Sequence, residues 1–327
     1  MTYSSVDASS ASTSLEGRRV LVTGGCGFIG SHLVEQLVAR GAAVWVLDNL
    51  QAGTLNNLNS ARSQVDLVIG DVRDPECVKR VVGLSRPAYV FHLAANASVP
   101  GSVEDPAYDF ETNSAGTFAL FDALRGYGRS EKVVLASSGA IYGQPQVFPI
   151  VEEQLWDPIS PYGASKVCAE TIARMFHRVY GLPVVTARIF NTYGPRMARF
   201  VVLDFLRKLR HNPNVLEVLG NGQQMRDFTY VTDTVQGLLL LAERGFTAEA
   251  YNLSSGCSVS VTEVAQMLIA ALGLTGITRI TYTGSSWVGD AQRWVVSIEK
   301  LGRLGYIPAV DLEDGLAKTI QWYQTQP

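Results

Sequence analysis

The run Thr23-Gly24-Gly25-Cys26-Gly27-Phe28-Ile29-Gly30 limits what this chain can fold into more than any other segment. It follows a short β-branched run, Arg18-Arg19-Val20-Leu21-Val22. It precedes residues 29–40, where Ile29, Leu33, Leu37 and Val38 fall near helical spacing until Gly41 stops the pattern. Glycines spaced GxxGxxG between a strand and a helix have a physical purpose that isolated glycines lack. Gly24 and Gly27 let the backbone turn tightly and approach a ligand with no Cβ in the way. Gly30 lets the helix pack closely on the strand. The helix start, at Phe28 and Ile29, offers unpaired N–H groups and a positive dipole end to phosphates. The alternative is a glycine turn that binds nothing.

The rest of the chain supplies the sheet that such a turn needs. Residues 42–48 (AAVWVLD), 65–71 (VDLVIGD), 88–95 (AYVFHLAA), 132–138 (KVVLASS) and 182–190 (LPVVTARIF) each read as strands. Helical patterns fall between several of them, at 113–127 and from near Tyr162. Alternating strands and helices predict an α/β fold, a doubly wound parallel sheet with helices on both faces. After Asn191 the Gly/Pro/Asn punctuation thickens (YGPR, HNPN, GNGQQ) and the elements shorten. That change predicts a smaller C-terminal α/β substrate domain. The expected division is a disordered tail at 1–15, a dinucleotide-binding domain at 16–190 to which 227–257 returns, and a substrate domain from 191–226 and 258–327.

Composition removes other classes. Twenty-seven basic against 30 acidic side chains leave a net charge of −3, without the basic excess of a nucleic-acid binder. With 47% hydrophobic residues the chain can bury a core. Cys26, Cys77, Cys168 and Cys257 are dispersed with no CxxC pair. Neither a disulfide framework nor a metal site is expected, and the setting is read as reducing and cytoplasmic. Residues 1–15 lack a basic start and an apolar core, so they do not read as a signal peptide. No apolar run exceeds six residues, far too short for a membrane span. The basic cluster Arg207, Lys208, Arg210 and His211 reads as a solvated helix face.

Two groups of residues carry chemistry. Asp48 ends the second strand, 18 residues after Gly30, with Asn49 beside it. A carboxylate there binds both ribose hydroxyls of an adenosine and repels a 2′-phosphate, which favours NAD over NADP. Asp71 and Val72 after the third strand, and Leu93, Ala94 and Ala95 after the fourth, end at the same carboxyl edge, where ligands of such sheets bind. The second group is Tyr162-Gly163-Ala164-Ser165-Lys166. Tyr and Lys at i and i+4 share a helical face, and Pro161 suits the first turn. A free phenol has a pKa of about 10. A neighbouring Lys⁺ and a positive nicotinamide ring favour the phenolate, so Tyr162 can act as general base and acid. Ser138, at the end of the fifth strand, can hydrogen-bond the oxygen that Tyr162 deprotonates. Asn113 opens a helix nearby and can hold a water or the backbone in place.

TGGCGFIG, HLAA, SSxxxYG, YGASK and RDFTYVTD together resemble the extended short-chain dehydrogenase/reductase family, in its nucleotide-sugar branch. The likeness runs from about Arg18 to Pro308. It implies a Rossmann domain, a smaller nucleotide-sugar domain, tightly held NAD and commonly a homodimer. The family's Ser–Tyr–Lys triad falls on Ser138, Tyr162 and Lys166. In the substrate half, the resemblance gives Asn191 and Arg226 to the nucleotide diphosphate and Asp290 to the ribose. A family arginine two residues before the Gly-Asp pair is replaced here by Trp287; Arg293 or Arg199 are the candidates to supply its charge. Trp294 falls where family 4-epimerases gate the C2 substituent, which implies a sugar with a free C2 hydroxyl. NTYGPRM, with Arg196 and Arg199, resembles the segment of members that handle UDP-glucuronate, whose carboxylate an arginine can clasp.

The two residues after Ser138 bear on the reaction. The family's 4,6-dehydratases carry an Asp-Glu pair where this chain has Gly139 and Ala140, and its UDP-glucuronate decarboxylases carry Glu at the second of these positions. Small neutral residues match the 4-epimerases. The expected reaction inverts C4 of UDP-glucose or UDP-glucuronate through a transient 4-keto sugar, with Tyr162 taking and returning the hydroxyl proton. The alternatives kept open are a decarboxylase, dehydratase or 4-ketoreductase on the same fold, and a non-catalytic NAD-sensing module.

Overall fold

A computed structural model describes residues 15–287 and 289–326. The expected tail at 1–15 lies outside these residues except for Leu15, which is fully buried in the core. The strands are β1 (Arg19–Thr23), β2 (Ala43–Asp48), β3 (Val65–Ile69), β4 (Tyr89–His92), β5 (Lys132–Ser138), β6 (Val184–Ile189), β7 (Asn191–Tyr193), β8 (Val215–Val218), β9 (Met225–Tyr230), β10 (Ala250–Leu253), β11 (Ser258–Ser260) and β12 (Arg279–Tyr282). The helices are α1 (Phe28–Ala39), α2 (Pro75–Ser85), α3 (Val99–Glu104), α4 (Pro106–Phe110), α5 (Gly116–Tyr127), α6 (Pro161–Tyr180), α7 (Val201–His211), α8 (Val231–Arg244), α9 (Val261–Ala271), α10 (Glu299–Gly302) and α11 (Leu312–Gln324). One π-helical turn, Glu111–Ala115, joins α4 to α5.

Seven strands form one parallel sheet in the order β10-β6-β5-β4-β1-β2-β3. The chain starts in the middle, fills one edge, then returns to fill the other, so the direction of winding reverses between β1 and β4. Parallel neighbours cannot be joined by a tight turn, and each crossover lays a helix on a sheet face. Both faces are therefore dry. Val20 and Val22 of β1 face one core with Val44, Val46 and Phe91. Leu21 faces the other, with Leu47, Val90, Val133 and Leu135. That two-sided burial is why these strands read as unbroken apolar runs.

The smaller region is built on a three-stranded sheet, β11-β9-β7, and a two-stranded sheet, β12-β8, packed with α7, α9 and α11 around a third core. The segment after β9 leaves it again: α8 packs on α1, β5 and β6, and β10 joins the large sheet beside β6. Among the described residues, no helix is long and apolar enough to cross a membrane. Arg207, Arg210 and His211 lie exposed on α7, where Lys208 pairs with Asp204 at 2.9 Å.

Candidate active site

The carboxyl edge of the large sheet holds a cavity. Its floor is the glycine loop. Gly24 has φ +74°, and a Cβ there would lie 2.7 Å from the Ala94 backbone nitrogen. A Cβ on Gly30 would lie 2.1 Å from the Gly24 carbonyl oxygen. Helix α1 begins at Gly27 with no side chain to cap its free N–H groups and no acidic residue in its first turn. Such an end is open to an anion. Asp48 is buried and ties the loop together: Oδ2 accepts from Cys26 N and Oδ1 from Leu50 N, both at 2.8 Å. Burial pushes its carboxyl up, and those two backbone hydrogen bonds pull it back. It still lines the cavity, together with Asn49, Val72, Leu93, Ala94 and Ala95. These residues fit a dinucleotide: a phosphate cradle that side chains would block, and a carboxylate in reach of a ribose.

Several expected residues stand back from the cavity wall. Asp71 does not line it. Its carboxylate is taken by Arg73, at 2.9 and 3.1 Å, and by Asn49 Nδ2 at 2.9 Å. Burial alone would raise that carboxyl; these partners hold it down, at about 2. Phe28 turns its ring onto His32, with centroids 6.0 Å apart. In place of these, residues 51–53 and Tyr108, Thr112, Asn96 and Arg199 complete the wall. Gly53 closes over the loop, where a Cβ would sit 2.7 Å from the Cys26 carbonyl carbon, and Thr54 N donates to Cys26 O at 3.1 Å. The Gly/Asn-rich stretch directly after Asp48 is the one signal in the sequence that could have found this flap.

Ser138, at the end of β5, and Tyr162 and Lys166, on the first turns of α6, do not line this cavity; Arg199, which does, acts on Tyr162. Ser160 caps α6 by accepting from Gly163 N at 3.1 Å, and Ser102 Oγ accepts from Tyr162 N at 3.1 Å, so the first turn is fixed from two sides. One turn on, Lys166 Nζ donates to the Ala136 carbonyl at 3.0 Å and lies 5.9 Å from the Tyr162 ring centre. Strand β5 thereby receives the lysine two residues before it presents Ser138, whose hydroxyl contacts the Tyr162 phenol. Burial raises the phenol above its ordinary value; the Ser138 hydrogen bond and Arg199 oppose the rise, and Asp109 adds to it. Lys166 is driven down by burial, to about 8, against the pull of Asp109 and Glu170. The expected lowering of Tyr162 by Lys166 is thus not present in the protein alone. Asn113 is buried as well. Its side chain accepts from Asn96 N at 2.9 Å and donates to Asn96 O at 3.0 Å, so it clamps backbone instead of facing the cavity.

The substrate-side residues gather beyond Ser138. Phe190 covers Gly139, Trp294 meets Phe190 edge-on at 5.5 Å, and Arg226 lies 5.1 Å from the Trp294 ring. Arg226 pairs with Asp290, which also accepts from Ser286 Oγ at 2.6 Å. Asn191 Oδ1 and Trp294 Nε1 are buried with no partner among the described residues, as groups awaiting a ligand would be. Trp287 is 43% exposed, and Arg293 packs on the Phe148 ring at 4.5 Å. Arg196 does not join this group. Its backbone is left-handed (φ 69°), which turns the side chain to α1, where it pairs with Glu35 at 2.6 Å and donates to Ser31 at 3.3 Å. A guanidinium so engaged is not free to clasp a substrate carboxylate. Arg199 is: it lines the cavity, faces Tyr162, and has no ion-pair partner among the described residues.

Known proteins with this architecture perform more than one reaction. The family model described as GDP-mannose 4,6 dehydratase matches residues 21–319. A dTDP-glucose 4,6-dehydratase of Xanthomonas campestris is 34% identical, over 93% of each chain. UDP-glucuronic acid decarboxylase 1 of Xenopus tropicalis is 33% identical, over 94% of this chain and 73% of its own. The UDP-glucose 4-epimerase of Thermus thermophilus, solved in complex with NAD, superposes with a TM-score of 0.85 at 38% identity, covering 94% of this chain and 99% of its own. Similarity of that length and degree, on this sheet and around this cavity, means that the chain belongs to the extended short-chain dehydrogenase/reductases, in their nucleotide-sugar branch.

Proposed function

We propose that this chain is an NAD-dependent nucleotide-sugar 4-epimerase that inverts C4 of a UDP-hexose or UDP-hexuronate. The observation that carries this reading is the surroundings of Ser138. A Cβ on Gly139 would fall 2.4 Å from the Phe190 ring, so the ring fills the space a carboxylate would need, and Ala140 is buried beside it. Nearby carboxylates are committed elsewhere: Glu170 to Arg188, Asp290 to Arg226 and Asp109 to three neutral donors. Eliminating water from a sugar needs a base for the C5 proton and an acid for the leaving hydroxyl. Inversion at C4 needs one proton taken from the C4 hydroxyl and returned to it.

Bound on the glycine cradle, NAD supplies reversible two-electron exchange with C4. The remaining work falls to side chains. Tyr162 takes the C4 hydroxyl proton and gives it back, Ser138 hydrogen-bonds the same oxygen, and Lys166 and Arg199 place positive charge near the phenol. Asn191, Arg226 and Asp290 hold the nucleotide diphosphate and ribose. Trp294 crowds the C2 position, so UDP-N-acetylglucosamine turns over more slowly than UDP-glucose or UDP-glucuronate. The unpaired Arg199 favours a hexuronate, because a planar guanidinium matches a carboxylate. The same residue supports the second reading, a UDP-glucuronate decarboxylase. The working unit is a homodimer.

The test is incubation with a panel of UDP-sugars and no added hydride donor, read by product mass and anomeric NMR. An isomer of unchanged mass supports the epimerase. Loss of carbon dioxide supports the decarboxylase, loss of water a dehydratase, and dependence on a stoichiometric hydride donor a 4-ketoreductase.

A further inference from the structure

Asp109 is fully buried at the end of α4, and three separate elements hold its carboxylate. Ser165 Oγ donates to Oδ2 at 2.5 Å, Asn96 Nδ2 to Oδ1 at 3.0 Å, and Asn113 Nδ2 to the same oxygen at 3.2 Å. Ser165 lies between Tyr162 and Lys166 on α6. Asn96 follows Ala94 and Ala95, which line the cavity. Asn113 sits in the π-helical turn, a distortion frequent at functional sites.

All three donors are neutral. They solvate an anion without balancing its charge, and an unbalanced buried charge is costly. Among the described residues no arginine or lysine forms an ion pair with Asp109. The cation that acts on it is Lys166. Four groups bear on the Lys166–Tyr162 pair besides Asp109. His92 is buried and held neutral by that burial and by Lys166, well below its ordinary range. Glu170 is matched by Arg188, with guanidinium nitrogens 2.8 and 3.0 Å from its two oxygens. Ser138 and Arg199 face Tyr162. Asp109 is thus the one anion of the cluster with no cation of its own.

We propose that Asp109 is a positioning residue of this site: the buried counter-charge that keeps Lys166 protonated beside Tyr162, and the tie that fixes α6 against the cavity wall. The proposal rests on reading Tyr162 as the acid–base group but not on which sugar is turned over. A charge lost from Asp109 stabilises the deprotonated forms of both Lys166 and Tyr162, so both titrations move to lower pH.

In the NAD-loaded protein, Asp109→Asn keeps the shape and one acceptor oxygen. The Tyr162 phenolate, read as the near-ultraviolet absorption difference from Tyr162→Phe, is expected to appear about one pH unit lower or more. The alkaline limb of turnover is expected to move the same way. A lower rate with both midpoints unmoved means a purely structural role and overturns the proposal. Should Asp109→Asn not fold, the reciprocal variant decides. Lys166→Met, stripped of the cation, is expected to show a protonated-carboxyl infrared stretch at neutral pH that the unaltered protein lacks. No such band overturns the proposal. Turnover that survives Tyr162→Phe overturns the underlying reading instead, so the two failures are distinguishable.

Discussion

A phenol and an ammonium group buried side by side oppose each other's burial only if the phenol gives up its proton. In the protein alone burial wins, and Tyr162 stays above its ordinary value. The acid–base role proposed for it therefore depends on the positive charges gathered around it. Tyr162→Phe removes the proposed proton carrier and leaves the cradle intact. Turnover should fall by about 10²–10⁴-fold, while NAD binding measured by calorimetry stays within a few-fold. His92 gives a second prediction at this scale. Burial and Lys166 push its imidazole down to about 3, and Thr23 and Thr117 hold its two nitrogens at 2.7 and 3.0 Å. As pH falls through about 6.5, the unfolded chain takes up a proton that the folded chain refuses. Stability should therefore fall between about pH 6.5 and 3, and His92→Gln should flatten that slope in a series of melting curves. Equal slopes would show that His92 is not the group responsible. Ser138, Tyr162 and Lys166 are legible in the sequence because an i, i+4 pair and a strand-end hydroxyl have recognisable positions. Asp109 and Tyr108 are not, because α4 and the π turn after it have no regular period to read. Arg196 and Arg199 stand three residues apart, and the sequence does not tell that Arg196, left-handed in backbone, pairs with Glu35 while Arg199 lines the cavity.

The glycine loop and α1 form one element, and its tolerance can be measured at single positions. A Cβ at position 30 meets the Gly24 carbonyl, a backbone atom that cannot move aside without opening the cradle. Gly30→Ala should cost about 1–3 kcal/mol and weaken NAD binding at least tenfold. Gly83, exposed in α2 with nothing within 4 Å of its added Cβ, is the counterpart. Gly83→Ala should raise stability by about 0.5–1 kcal/mol with cofactor affinity unchanged. Paired chemical denaturation and NAD titrations check both, and equal effects at the two positions would refute the role given to the cradle. The loop is readable because its glycines fall between a strand and a helix of clear periodicity. The flap of residues 51–53 is not, since a coil that covers a ligand has no pattern of its own.

For the whole molecule, the large sheet is readable for the reason that it is stable: strands covered on both faces are continuous apolar runs. The smaller region is harder. Its strands β7, β8, β11 and β12 have three or four residues each and pair with distant partners, so no local pattern announces them. Helices α5 and α6 carry an apolar outer face. Phe118 (48% exposed) packs on Phe176, Phe176 on Tyr180 (50% exposed), and Val179 beside it is 64% exposed. Large rings left in water on two adjacent helices suit a symmetric partner. The protein should sediment as a dimer, and Phe118→Glu combined with Val179→Glu should give a folded monomer. A wild-type monomer at micromolar concentration would contradict the proposed dimer.

If Tyr162 carries the proton of a 4-epimerase, one carbon of the sugar is both the donor and the recipient in the redox exchange. UDP-glucose and UDP-glucuronate labelled with deuterium at C4 test this directly when each is incubated with the NAD-loaded protein and followed by NMR. At least one should give a C4-inverted sugar of unchanged mass with the deuterium still on C4. Deuterium found at C6 with loss of water, or a product that has lost its carboxyl carbon, would contradict it.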